Sequence, residues 1–177
     1  MNHAHESASK SKQVRCAILT LSDTRTLEND SSGDLIARSL VEAGHLVVQR
    51  DLIRDEPLEL KNRIEKFLNQ SDIEAIITTG GTGISPRDRT IDVLESIFEI
   101  KLPGFGELFR MLSYDQIGPA TMLSRAIAGI AKSKAIFALP GSTKAVELAM
   151  KKIIAPELGH VVAMLEGRAS PPAESGD

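Results

Sequence analysis

The chain has 177 residues, 42% hydrophobic and 25% charged, enough for one globular domain with a substantial core. A net charge of −3, with five Phe, one Tyr and no Trp, excludes the basic faces and base-stacking platforms of a nucleic-acid binder. The single cysteine, Cys16, excludes an internal disulfide framework, and no run approaches the ~18 apolar residues of a membrane span, so a reducing cytoplasm is expected.

Residues 1–13 are polar and lack the apolar core of a signal peptide. Residues 1–12 and 168–177, the latter with Pro171-Pro172, read as disordered tails around a single domain at 13–167. Val14 to Leu21 is an apolar run that stops at Ser22-Asp23-Thr24, a strand feeding a polar loop. Cys16 falls inside it, as a buried inert thiol. The turn-rich 25–33 stretch offers Asp30, Ser31 or Ser32 as the cap of a helix carrying Leu35, Ile36, Ser39, Leu40 and Ala43, with Gly44 as its stop. A second strand covers His45 to Ile53, and Pro57 opens a helix over 57–69 with Leu60, Ile64, Phe67 and Leu68 on one stripe.

Glu74 to Thr79 is the third strand, and a helix begins near Asp88 or Thr90. The spacing then predicts a loop over 101–106 and a helix from Glu107 to Tyr114. Ser124 to Ala131 and Ala135 to Leu139 read as antiparallel strands around Lys132-Ser133-Lys134. A helix follows Pro140-Gly141-Ser142, and Pro156 opens or kinks the last helical run. Strands alternating with amphipathic helices imply an α/β sheet with parallel pairing and right-handed crossovers. Ligands of such sheets sit beyond the carboxyl ends of the strands.

At one of those ends lies the most informative stretch, Thr79-Gly80-Gly81-Thr82-Gly83 running on to Arg87-Asp88-Arg89-Thr90. Glycines there let a ligand approach bare backbone, and N–H groups beside a helix start favour a phosphate. A carboxylate beside phosphates points to Mg²⁺, so Asp88 reads as a metal ligand. The stretch is neither a Walker loop nor a dinucleotide fingerprint. The other loops at that edge, Ser22-Asp23-Thr24, Asp55-Glu56 and Pro140-Gly141-Ser142, are equally polar. A purely structural reading stands beside each: Asp23, Asp30 and Ser142 as caps, Asp55-Glu56 as a helix-start charge pair, and Arg125 as an ion-pair partner.

The ordered set LSDT (21–24), DSSG (30–33), RDE (54–56), TGGTGxxxRDxT (79–90), PGFGE (103–107), LSRAxAGI (123–130) and LPGS (139–142) resembles the molybdenum-cofactor biosynthesis protein B and molybdopterin adenylyltransferase family. The resemblance covers residues 13–167 and implies a three-layer α/β/α fold of the molybdopterin-binding type, assembled as a homotrimer or hexamer. It also implies use of Mg²⁺ and ATP to transfer AMP onto the terminal phosphate of molybdopterin, releasing pyrophosphate, before hand-over to a metal-insertion enzyme. By position, Asp55 and Asp88 match the family's catalytic or Mg²⁺-linked acids, and Gly80, Gly81, Thr82 and Gly83 its phosphate cradle. Ser22, Asp23, Asp30 and Ser32 match nucleotide- and pterin-side loops. Glu107, Ser124, Arg125, Pro140, Gly141 and Ser142 match the pocket lining. The chain departs from the enzymatic branch after the glycine loop, reading Arg89, Ile91 and Asp92 where that branch has Val, Pro and Glu. A non-catalytic pterin-binding protein of the B branch is the second reading.

Overall fold

A computed structural model describes residues 12–169. Six strands, β1 (Arg15–Leu21), β2 (Leu46–Ile53), β3 (Ala75–Thr79), β4 (Ile100–Lys101), β5 (Ile127–Ala131) and β6 (Lys134–Leu139), form one sheet in the order β2-β1-β3-β6-β5-β4. β2, β1, β3 and β6 run parallel, whereas β5 is antiparallel to both β6 and β4. The sheet is thus mostly parallel, with an antiparallel extension at one edge.

Strand periodicity divides the core between the two faces. Cys16, Ile18, Ala75, Ile77, Ala135, Phe137 and Leu139 point to one face. There they meet helices α1 (Ser31–Glu42), α4 (Pro103–Ile117), α5 (Thr143–Ala149) and α6 (Ala155–Ala169). Ala17, Leu19, Leu21, Ile76, Ile136 and Ala138 point to the other, against α2 (Pro57–Leu68) and α3 (Thr90–Ile97). A sheet buried on both faces gives three layers, and it explains why its strands read as continuous apolar runs. Cys16 is fully buried, and burial pushes its thiol pKa up, as an inert core cysteine requires.

Local chemistry sets the boundaries. Asp30 caps α1 by accepting from the Gly33 N–H. Lys132 and Ser133 both have positive φ, which lets a two-residue turn join β5 to β6. Three elements differ from the sequence reading. α4 starts at Pro103, not Glu107, because proline fits the first helical turn and Leu102 supplies the residue before it; it also runs on to Ile117. β4 occupies part of the stretch read as loop, and the strand read from Ser124 begins at Ile127, after a 3₁₀ turn over Gly118–Leu123. Between α5 and α6 the chain makes a π-turn, Met150–Ile154, with the Ala155 N–H donating to Met150 O. That wider turn accommodates Pro156, whose ring would clash with a carbonyl of a regular helix.

The tails read at 1–12 and 168–177 lie outside the described residues apart from Lys12 and the end of α6. Among the described residues no helix is long and apolar enough to cross a membrane.

Candidate active site

β1 turns to β2 on one side and, through α2, the chain returns to β3 on the other, so the loops after β1 and β3 diverge at a topological switch point. A cleft of about 780 Å³ opens there, between those loops, the loop after β6, and α4. Gly80 and Gly81 make its floor and take φ of +111° and +64°. A side chain at Gly80 would collide with the Leu21 carbonyl, so only glycine lets β1 and β3 end this close. Thr79 Oγ1 donates to Pro140 O at 2.9 Å, and the Gly80 N–H to Leu139 O at 3.0 Å, fastening the glycine loop to the loop after β6.

The cleft is lined by Ser22, Gly80, Gly81, Thr82, Gly83, Asp88, Ser124, Pro140, Gly141 and Ser142, so these sequence-derived candidates converge. Asp55, just after β2, is not among the residues lining the cleft but reaches the same glycine loop: a Cβ on Gly81 would stand 2.9 Å from its Oδ1. Asp88 faces Gly83 in the same way and accepts from the Ser85 N–H at 2.8 Å. Asp23 pairs with Arg87 at 2.7 Å and also faces the Asp55 backbone. Burial first, then the charges of Asp88 and Asp23, raise the Asp55 pKa above the usual carboxylate value. Asp23, Asp55 and Asp88 therefore crowd the glycine loop, and among the described residues only Asp23 of the three has a side-chain ion pair, with Arg87. Added positive charge relieves that crowding.

The remaining candidates hold the scaffold. Asp30 is fully buried and accepts from Thr20 Oγ1 at 2.7 Å, the Gly33 N–H at 3.0 Å and Arg50 Nη2 at 2.9 Å. Burial acts to raise its pKa, but those donors outweigh it and hold the carboxyl below its ordinary value. Ser32 donates to Gly141 O at 2.9 Å, tying α1 to the loop after β6. Arg125 spends its guanidinium on the glycine loop: Nε donates to Gly83 O at 2.8 Å, Nη2 to Asp88 O, and Nη1 reaches Asp92 at 3.2 Å. It staples the backbone that presents Asp88. Glu107 stands apart, in a separate depression of about 160 Å³ with Glu95, Lys101 and Arg110.

Arg25, Lys144, Ser113, Gln116 and Thr121 line the cleft without having been singled out in the sequence. Gln116 falls beyond the helix end placed at Tyr114, and Gly118, at φ +60°, was the available stop signal. Arg25 and Lys144 bring the cations that an anionic ligand needs, a part read for Arg125. Among the described residues no three His, Cys, Asp or Glu side chains form a metal cage. Two carboxylates still suit Mg²⁺, which binds through one or two of them and takes its other ligands from phosphates and water.

Comparison with known proteins agrees with this architecture. Residues 17–160 match the family described as "Probable molybdopterin binding domain". A molybdenum cofactor biosynthesis protein B of Halalkalibacterium halodurans is 49% identical over 152 residues, covering 85% of this chain and 89% of the relative. A crystal structure of molybdenum cofactor biosynthesis protein B superposes with TM-score 0.86 at 45% identity, covering 89% of this chain and 98% of the other. That of a tungsten cofactor synthesizing protein MoaB from Pyrococcus furiosus gives TM-score 0.78 at 34% identity, covering 87% and 98%.

Proposed function

The chain belongs to the molybdenum cofactor biosynthesis protein B family, and from that premise we propose that it adenylylates molybdopterin at the expense of Mg²⁺-ATP. The observation that carries this reading is the meeting of Asp55 and Asp88 with the bare backbone of Gly81–Gly83, beside the cleft that Asp88 and that loop line. A phosphate oxygen of molybdopterin attacks the α-phosphorus of ATP, the bond to the β-phosphate oxygen breaks, and pyrophosphate leaves. The attacking phosphate is ionised near neutral pH, so the site needs no strong base, and among the residues lining the cleft there is no histidine.

Repulsion between two polyanions is the main barrier. Asp55 and Asp88 are the residues that would hold Mg²⁺, which when bound supplies charge neutralisation on the triphosphate. The chain does the rest by positioning. The glycine loop admits phosphates to within contact of the backbone, and Arg125 holds that loop through Gly83 O and Asp88 O. Arg25 and Lys144 add positive charge at the cleft wall. Assembly as a homotrimer or hexamer, residence in the cytoplasm and hand-over of the product to a metal-insertion enzyme complete the reading.

The test is incubation of the protein with molybdopterin, Mg²⁺ and ATP, followed by detection of adenylylated pterin and pyrophosphate. Both should accumulate together. Binding of molybdopterin with no pyrophosphate released would favour a carrier over an enzyme.

A further inference from the structure

Thr90 is the first residue of α3, and its side chain is fully buried. Its backbone N–H donates to Gly81 O at 3.2 Å, which fixes the start of α3 against the glycine loop. Its hydroxyl has no hydrogen-bond partner. A buried hydroxyl left so is costly, and native structures seldom keep one without a role. Its surroundings supply the role. A Cβ on Gly81 would lie 2.3 Å from Thr90 Oγ1, 2.9 Å from Asp55 Oδ1 and 3.1 Å from Asp55 Oδ2, so hydroxyl and carboxylate face one another across the open side of that glycine. Any side chain at 81 would separate them.

We propose that Thr90 is a positioning residue for Asp55: unpaired in the ligand-free protein, its hydroxyl donates to one carboxylate oxygen when the other engages a cation. A carboxylate has several acceptor sites, so it can take one hydrogen bond from the protein while engaging a cation with its remaining lone pairs. That carboxylate is pressed by Asp88 and Asp23, and Arg87, whose charge eases the pressure, is paired with Asp23 at 2.7 Å. The inference deepens the adenylyltransferase reading, on which the identity of the cation and nucleotide rests.

Two measurements test it. The first compares binding of α,β-methylene-ATP, which cannot be cleaved at the α-phosphate, with and without Mg²⁺, in wild type, Thr90→Val and Thr90→Ser. Valine keeps the shape and removes the donor; serine keeps the donor. The expected result is that valine weakens the Mg²⁺-dependent affinity about tenfold or more, leaves metal-free affinity unchanged, and serine restores binding. Equal affinities, or serine as weak as valine, would overturn the assignment. The second compares high-resolution crystal structures of wild type without ligand and with Mg²⁺ and α,β-methylene-ATP bound, needing no variant. Thr90 Oγ1 is expected within hydrogen-bond distance of the Asp55 carboxylate in the loaded crystal only, and a hydroxyl left unpaired or bonded elsewhere there overturns the proposal. Absence of AMP transfer with the Thr90–Asp55 bond present would sink the catalytic reading alone.

Discussion

Asp55 is held where burial and two neighbouring carboxylates oppose its ionisation. Because its folded pKa lies above the unfolded value of about 3.9, ionising it costs stability. The cost is absent below that unfolded value and grows as pH rises through the folded pKa. Asp55→Asn should therefore raise the melting temperature of the ligand-free protein at pH 7, with the gain vanishing below about pH 4. Calorimetry across that range reads it directly, and an unchanged melting temperature at pH 7 would refute the crowding. Asp88→Asn should keep the fold and pterin binding yet lose AMP transfer by about a hundredfold or more, since even supporting groups at metal sites cost 10–100-fold. Gly81→Val meets a φ of +64°, as well as Thr90 and Asp55. The strained backbone alone is worth about 1–3 kcal/mol, read in denaturant unfolding, and nucleotide affinity should fall with it.

At the scale of elements, one buried carboxylate ties three together. Asp30 caps α1, accepts from Thr20 on β1 and pairs with Arg50 on β2. Asp30→Ala removes a cap and leaves Arg50 only the half-exposed Asp34 carboxylate and the backbone carbonyl of residue 30, so a loss of about 2–4 kcal/mol is expected in urea unfolding. The pH dependence has the opposite sign to that of Asp55. The folded pKa of Asp30 is depressed, so its contribution is present above its unfolded value and is lost as pH falls through the folded one. A stability curve in acid that steepens less in Asp30→Ala than in wild type is the corresponding observation. Arg125 works on the same scale: by holding Gly83 O and Asp88 O it converts a flexible glycine loop into a fixed rim.

On the whole molecule, α4 and the 3₁₀ turn after it leave Leu108, Met111, Tyr114, Ile117, Met122 and Leu123 open to solvent. Large apolar side chains exposed in this number favour association. Sedimentation should give a mass of three or six chains, and Met111→Glu with Met122→Glu should shift it toward the monomer. A wild-type monomer would count against assembly through this face.

Much of the architecture was legible because it rests on local rules. Short apolar runs, the Pro57 helix start and the Gly44 stop each express local preferences that need no distant partner. The glycine loop and Asp88 were legible for the same reason, being adjacent in the chain. The limits of α4 were missed because Pro103-Gly104-Phe105-Gly106 looks like a loop until packing of Phe105 and Phe109 against the sheet outweighs the two glycines. The sequence by itself determined the α/β class, the parallel pairing of the core strands and the chemical character of the rim. Only the tertiary structure decided which polar residues meet: it brought Asp55 to Gly81 and Thr90, put Glu107 in another depression, and assigned Arg125 to the backbone. Those outcomes depend on where separate strands end relative to one another, a spacing of a few ångströms that packing of the assembled layers sets and no local pattern encodes.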